Sequence, residues 1–308
     1  MPKNKELIKE EVCLEVPAKN MGEMEQAGVD GMNNIPGKIT SLIAGIDIGE
    51  IEERLLKEDQ APCPVVHSFG PGLYIREVHL PKGAFCIGHR QKEQHLNIML
   101  KGEILIFKSD GVREKMTAPA MFTGEPGRKM GYVVEDVVWL NIYPTSETSV
   151  DVLEATYLEK SGVWNNIPQV SHCEDVVDYL DVLEEMKLTE VDVRKQVENE
   201  DDQIPMPFGS FKVGVFKSKI EGRGIFATSD IEPGEFIAPA RIDDKRTPVG
   251  RFANHSKRPN AKMIIKNNDI LLVASKQIKG CLGGALGDEI TTDYRENIVT
   301  ARGLICHQ

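Results

Sequence analysis

Arg251-Phe252-Ala253-Asn254-His255-Ser256, followed by Pro259-Asn260, decides how the last third of this 308-residue chain is read. A loop rich in Asn, Ser and Pro has two uses: its amides satisfy buried backbone, or they hold a ligand. Two other stretches flank it in order. Upstream lies Gly222-Arg223-Gly224-Ile225-Phe226-Ala227, whose glycines either let backbone approach a bound group closely or make a tight turn between strands. Downstream, Gly287-Asp288-Glu289 runs to Asp293-Tyr294. Only fifteen residues, 236–250, separate Glu235 from Arg251.

Around this core of motifs, the chain is long enough for two domains of ordinary size. A formal net charge of -11 excludes a generally basic nucleic-acid binder. The charge is uneven, however. Residues 159–203 hold 4 Lys and Arg against 13 Asp and Glu, and 204–308 hold 16 against 11. An acidic connector therefore precedes a basic block, and we read the connector as solvated rather than laid against its neighbour. The six cysteines, Cys13, Cys63, Cys86, Cys173, Cys281 and Cys306, form no C-x-x-C pair, which argues against a zinc knuckle or a disulfide framework. No apolar run approaches membrane-spanning length. The expectation is a soluble, cytoplasmic protein that contacts no membrane and no nucleic acid.

Four segments follow from texture. Residues 1–60 read as a partly flexible arm with one short amphipathic helix between Ile46 and Leu56. Residues 61–158 contain β-like runs at Gly72 to Leu80, Leu96 to Phe107 and Tyr132 to Tyr143, separated by Pro-Gly and Asp-Gly turns. Residues 159–204 turn helical, with a capping box expected at Ser171 to Glu174 and an apolar face of Val176, Leu180 and Leu183 ending near Lys187. Residues 205–308 return to β texture.

Within 61–158, Gly83, His89 and Gly102 fall at the spacing of a cupin motif, and the segment resembles that family. Two ligand positions depart from it: Gln91 stands for the second histidine and His95 for the glutamate. The histidine expected after Pro126-Gly127 is missing as well. On an extended strand His89, Gln91, Glu93 and His95 would share one face. That donor set is thin for a transition metal, so the expectation is a polar barrel mouth without a metal. Leu96, Ile98, Leu100, Ile104, Val133, Val137, Trp139 and Ile142 are expected in the core.

The three C-terminal motifs resemble a SET domain. The resemblance implies S-adenosylmethionine as cofactor and a protein lysine as acceptor. It implies cofactor contacts from Gly222, Arg223, Gly224, Asn254 and His255, with Arg223 meeting the methionine carboxylate. Tyr294 takes the catalytic position, and a phenol there orients the lysine amine rather than serving as a base. The family also threads the segment from Glu289 to Tyr294 through the Asn-His loop. In this chain the fifteen-residue bridge replaces the insert that forms one wall of the lysine channel in SET enzymes.

The expected fold class is thus mainly β, with a cupin-like β-barrel, a helical acidic connector and a SET-like (β-clip) domain. Two functions stand side by side: an S-adenosylmethionine-dependent protein lysine methyltransferase, and a non-catalytic binding or assembly protein using both units as scaffolds. The arrangement resembles accessory proteins of tailed bacteriophages, which implies a homo-oligomer or assembly component bound to a structural protein, in host cytoplasm or virion.

Overall fold

The computed structural model describes residues 12–15, 48–107, 113–160, 173–283 and 285–305. The Ser171 cap expected for the connector helix lies outside them. Strand β1 (Val12–Glu15) and helix α1 (Ile48–Leu55) come first. They are followed by β2 (Val65–Gly70), β3 (Leu73–Leu80), β4 (Ala84–Ile87), β5 (Arg90–Gln91), β6 (His95–Phe107), β7 (Arg113–Thr117), β8 (Ala120–Gly124) and β9 (Met130–Pro144). Helix α2 (Val150–Tyr157) and β10 (Leu158–Glu159) end this first unit. The connector holds α3 (Cys173–Met186), α4 (Glu190–Glu198) and a 3-10 turn at Glu200–Asp202. The C-terminal stretch holds β11 (Gly209–Phe211), β12 (Val213–Lys217), β13 (Arg223–Ala227), β14 (Phe236–Ile242), β15 (Lys245–Arg246), α5 (Pro248–Phe252), β16 (Asn254–His255), β17 (Ala261–Lys266), β18 (Asp269–Ala274), β19 (Glu289–Thr292) and α6 (Tyr294–Ile305).

Strands β6 and β9 are long enough to serve two half-sheets. The start of β9 pairs with β4 and the end of β6, while its later part pairs with β3 and the start of β6. Both strands turn at one place, marked by register shifts between Met99 and Ile104. Gly102 makes that turn: its φ is +95°, and a Cβ there would fall 2.2 Å from the Asp136 carbonyl oxygen. Among the described strands the sheet does not close into the expected barrel. The free edge of β2 is taken instead by β11, which arrives from beyond the connector. Helix α1 covers one half-sheet, burying Ile51 against Phe85, Ile87, Leu105 and Phe107. Its fully buried Glu52 meets Arg128, whose Nε donates to the Gly88 carbonyl at 2.8 Å.

Of the expected core, Ile104, Val133, Val137 and Trp139 are buried and Ile142 is half-buried, but the first half of β6 runs in the opposite phase. His95, Asn97 and Met99 point inward on β6, whereas Leu96 and Leu100 are exposed and Ile98 is half-buried. The period of two was legible, but the more apolar phase is the outer one. Among the described side chains of α3, Asp178, Val182 and Leu183 are buried and Leu180 faces solvent; that of Val176 lies outside them.

The two β units share one core. Phe69, Tyr74 and Tyr143 from the first pack with Val213, Phe216, Phe226 and Ile290 from the second. Thr228 ties the seam, its hydroxyl donating to the Val65 carbonyl at 2.7 Å while its own carbonyl accepts from the Val65 N–H at 2.8 Å. The thiol of Cys281 donates toward the carbonyl oxygens of Cys63 and Thr228. Cys63, Cys86 and Cys281 are all free thiols.

In the C-terminal unit β19 lies between β13, antiparallel, and β16, parallel. Asn260 clamps it from the side: Nδ2 donates to the Glu289 carbonyl at 2.8 Å, and Oδ1 accepts from the Thr291 N–H at 2.9 Å. One side chain thereby imitates a strand partner. Since each orphaned buried backbone group costs roughly 1–3 kcal/mol, Asn260→Ala is expected to lower unfolding free energy by about 2 kcal/mol or more. Denaturant titration would read this as a lower midpoint at unchanged slope.

Candidate functional site

Two polar clusters merit attention, one inside each unit. In the first, strand register lines up an inward row of Asn97, Asn141, Arg76 and His67 across β6, β9, β3 and β2. Asn97 Oδ1 accepts from Trp139 Nε1 at 2.9 Å and Asn141 Nδ2 at 2.8 Å. Its amide nitrogen is therefore turned the other way, toward the His95 ring. His95 Nδ1 lies 3.1 Å from the Glu93 carbonyl, which makes it the donor and leaves Nε2 as an acceptor. Burial holds the His95 pKa below its ordinary value, so the ring is neutral.

A cavity of about 90 Å³ opens beside these groups, lined by His89, Gln91, His95, Asn97, Lys129 and Asn141 with apolar neighbours. Gln91 Oε1 accepts from the Tyr143 hydroxyl at 2.7 Å. The one-face expectation fails at Glu93, which is exposed because β5 ends at Gln91 and the chain turns before β6. The turn carries Glu93 away from His89 and His95. Among the described residues no group of three His, Cys, Asp or Glu side chains is placed to hold a metal.

Deeper still lies an ionic cluster that the sequence reading missed. Arg76 and Glu154 are each 1% exposed, with Nε and Oε1 3.9 Å apart. Lys160 Nζ sits 2.7 Å from Glu154 Oε2. Burial would raise the Glu154 pKa, but the Lys160 and Arg76 cations hold it low, so the carboxylate stays charged. His67, fully buried with Nδ1 2.7 Å from the Tyr74 hydroxyl, is pushed down to about 3, by burial first and by the two cations as well. One signal could have exposed this: Arg76 stands in the apolar phase of β3, between Tyr74 and Val78.

In the second unit the structure brings most of the motif residues together. Asn254 Nδ2 donates to Glu289 Oε1 at 2.7 Å and approaches the carbonyls of Arg223 at 3.1 Å and Glu221 at 3.3 Å. Glu289 also accepts from the Ser218 hydroxyl at 2.8 Å. Gly224 is required by this contact, because a Cβ would lie 2.2 Å from Glu289 Oε1. Gly222 makes the turn before it, at φ +47°. Arg223 does not stand open for a carboxylate ligand. Its Nη2 meets Asp151 of α2 at 2.7 Å and its guanidinium lies 4.4 Å from the Phe252 ring centre.

His255 Nδ1 accepts from the Tyr294 N–H at 3.2 Å, so Nε2 carries the proton and donates to Asp178 at 2.8 Å. Asp178 belongs to α3. Arg295 binds the same carboxylate at 3.0 Å and Glu185 at 2.8 Å. The hydrogen bond from His255, then those from Arg295, hold Asp178 below the usual carboxylate range against the opposing effect of burial. Tyr294 is half-buried, with Tyr179 of α3 edge-on at 6.1 Å. Its hydroxyl donates to the Ala253 carbonyl at 3.2 Å, and burial pushes its pKa well above the ordinary phenol value. At neutral pH it holds its proton.

The connector is thus docked, correcting the solvated expectation. Asp202 pairs with Arg246 at 2.7 Å and Arg241 at 3.4 Å, and Arg251 Nη2 donates to the Val197 carbonyl at 3.2 Å. No helix among the described residues is long and apolar enough to cross a membrane.

No protein-family model matches the chain, and no curated protein is similar to it. Solved structures with cupin folds are similar over a minor part. An RmlC-like cupin family protein with a double-stranded β-helix fold from Methanocaldococcus jannaschii is 16% identical, covering 28% of this chain and 84% of its own, with a TM-score of 0.23. A cupin domain from Bordetella pertussis is also 16% identical at TM-score 0.23, covering 28% and 96%. A predicted oxalate decarboxylase from Thermotoga maritima is 16% identical at TM-score 0.20, covering 23% and 64%. Likeness at this level bears on neither activity nor ligand.

The neutral, buried His67 gives a pH test. Unfolded, a histidine titrates near 6.5; folded, this one takes a proton only near about 3. The unfolded chain therefore binds the extra proton first as pH falls. Stability present above pH 6.5 is lost on the way to about 3, at up to about 1.4 kcal/mol per pH unit. Urea midpoints taken from pH 7 to pH 4 are expected to fall less steeply for His67→Gln than for the wild type.

Proposed function

We propose that this chain is a non-catalytic binding or assembly protein in which a cupin-like unit and a SET-like unit serve as rigid scaffolds. The observation that carries this reading is the internal engagement of the residues a methyl transferase would need. Asn254 is turned onto Glu289 and the Gly222 to Gly224 loop, Arg223 onto Asp151, His255 onto Asp178, and the Tyr294 hydroxyl onto Ala253. Methyl transfer requires these groups aimed at a cofactor and an amine; here each serves the fold.

The partner that fits is a second copy of the chain. The outer face of the β8-β6-β9-β3 half-sheet carries Met121, Leu96, Ile98, Leu140, Ile142 and Ile75 in register. Met121 is 71% exposed. The one charge beside these side chains is Glu77, opposite Leu140 on β3 and bonded to His79 at 2.7 Å, so the rest of the patch offers two copies an apolar contact. Such a homo-oligomer suits the assembly role that the resemblance to tailed-phage accessory proteins suggests. Sedimentation should give a dimer or higher state for the wild type and monomer for Met121→Glu with Leu96→Glu; a wild-type monomer at tens of micromolar would count against the partner.

One observation favours the enzyme alternative. Helices α3 and α4 stand over a cavity that reaches Tyr294, a wall in place of the short bridge. At about 230 Å³ that cavity falls below the roughly 300–1,000 Å³ of small-molecule sites. Calorimetric titration with S-adenosylmethionine separates the two readings. No heat and no transfer of a radiolabelled methyl group are expected. Micromolar binding that Asn254→Ala removes, together with transfer that Tyr294→Phe abolishes, would establish the enzyme instead.

A further inference from the structure

The cavity under α3 and α4 has a composition that neither scaffold nor methyl-transfer chemistry accounts for. Most of its wall is apolar: Leu183 and Met186 from α3, Val193 and Val197 from α4, Ile270 from β18 and Ile298 from α6. Against this stand three guanidinium groups, Arg241, Arg246 and Arg251, and no lining residue is acidic.

A single carboxylate, Asp202, serves the first two, at 3.4 Å from Arg241 and 2.7 Å from Arg246. Both also donate to backbone carbonyls, Arg241 to Asp244 and Arg246 to Gln196. Arg251 has no carboxylate within salt-bridge distance among the described residues. Its Nη2 donates to the Val197 carbonyl, its guanidinium lies 4.8 Å from the Phe252 ring centre, and its buried Nε makes no hydrogen bond. Burial and the neighbouring Arg246 and Arg223 all disfavour its charge. A guanidinium does not relieve this by deprotonating in a protein, and Asp202 offsets only part of it, so a further anion beside Arg251 would be stabilised.

We propose that this cavity binds a small amphipathic carboxylate, with an apolar tail between the helices and the carboxylate on Arg251. Two opposing demands meet in that chemistry. The helices leave apolar surface uncovered, which favours hydrocarbon, and Arg251 offers a fork of donors that matches a carboxylate. Size narrows the class. A cavity of about 230 Å³ takes roughly eight groups at about 30 Å³ each, which is the heavy-atom count of a six-carbon acid. The cavity is open on one side, so a longer tail would project into water and gain no further apolar contact. The site does not depend on the scaffold reading, and hexanoate binding is tested separately from S-adenosylmethionine binding.

The test uses the full chain and hexanoate as probe. Isothermal titration is expected to give saturable binding with a dissociation constant below about 1 mM. Hexanol, which lacks the charge, and acetate, which lacks the tail, should each bind at least tenfold more weakly. Arg251→Gln should weaken hexanoate at least tenfold, and Val193→Trp, which fills the apolar end, should abolish binding while far-ultraviolet circular dichroism stays unchanged. Should Arg251→Gln fail to fold, Val193→Trp and the hexanol comparison still decide. The proposal is overturned if the wild type shows no hexanoate binding at 10 mM, or if binding survives Val193→Trp or equals that of hexanol.

Discussion

The C-terminal half of this protein depends on how strand β19 is held. It lies in the middle of its sheet and carries α6 at its end, so whatever fixes β19 also fixes Tyr294 and Arg295. Three side chains do so: Glu289 on the strand itself, Asn254 reaching it from β16, and Asn260 bracketing its backbone. These are the same residue types that make an Asn-rich loop look like a ligand site. An amide side chain satisfies a strand edge as readily as it satisfies a ligand, and in this fold the strand has taken it.

The connector follows from that placement. With α6 fixed, Arg295 and the His255 ring present one donor face, and Asp178 on α3 fits both. The acidic helix then lies over Tyr294 and the basic surface around Arg246. Ion pairs on exposed surfaces contribute little, but Asp178 is buried, and a buried carboxylate is tolerated only with such partners. The docking is therefore specific in register as well as in charge. Beside the short bridge before Arg251 lie α3 and α4, from sequence that precedes the C-terminal unit.

The first unit solves a different problem. Part of its interior is polar, with Arg76, Glu154, Lys160 and a neutral His67 clustered together and Asn97 and Asn141 lining the cavity. Such a cluster is costly unless its members satisfy one another. The stacked rings of Tyr74, Tyr143 and Tyr157 form its wall, and they carry the packing on into the core shared with the second unit.

The sequence determined the three longest strand runs of the first unit, the short helix near Ile51, the first connector helix and the order of the C-terminal motifs, because these rest on local periodicity and turn chemistry; the second connector helix, Glu190–Glu198, was not legible. Which phase of β6 faces inward was decided only in the folded protein. Leu96 and Leu100 form the more apolar phase by composition, yet His95 and Asn97 find partners inside that no local rule reveals. The partner of Arg223 lies 72 residues away in sequence and that of Asp178 lies 77 away, on His255. Hydrophobic pattern is a property of neighbours along the chain, whereas the satisfaction of a buried charge depends on what the fold brings beside it. For that reason the motifs located the site, and only the tertiary structure decided what its residues hold.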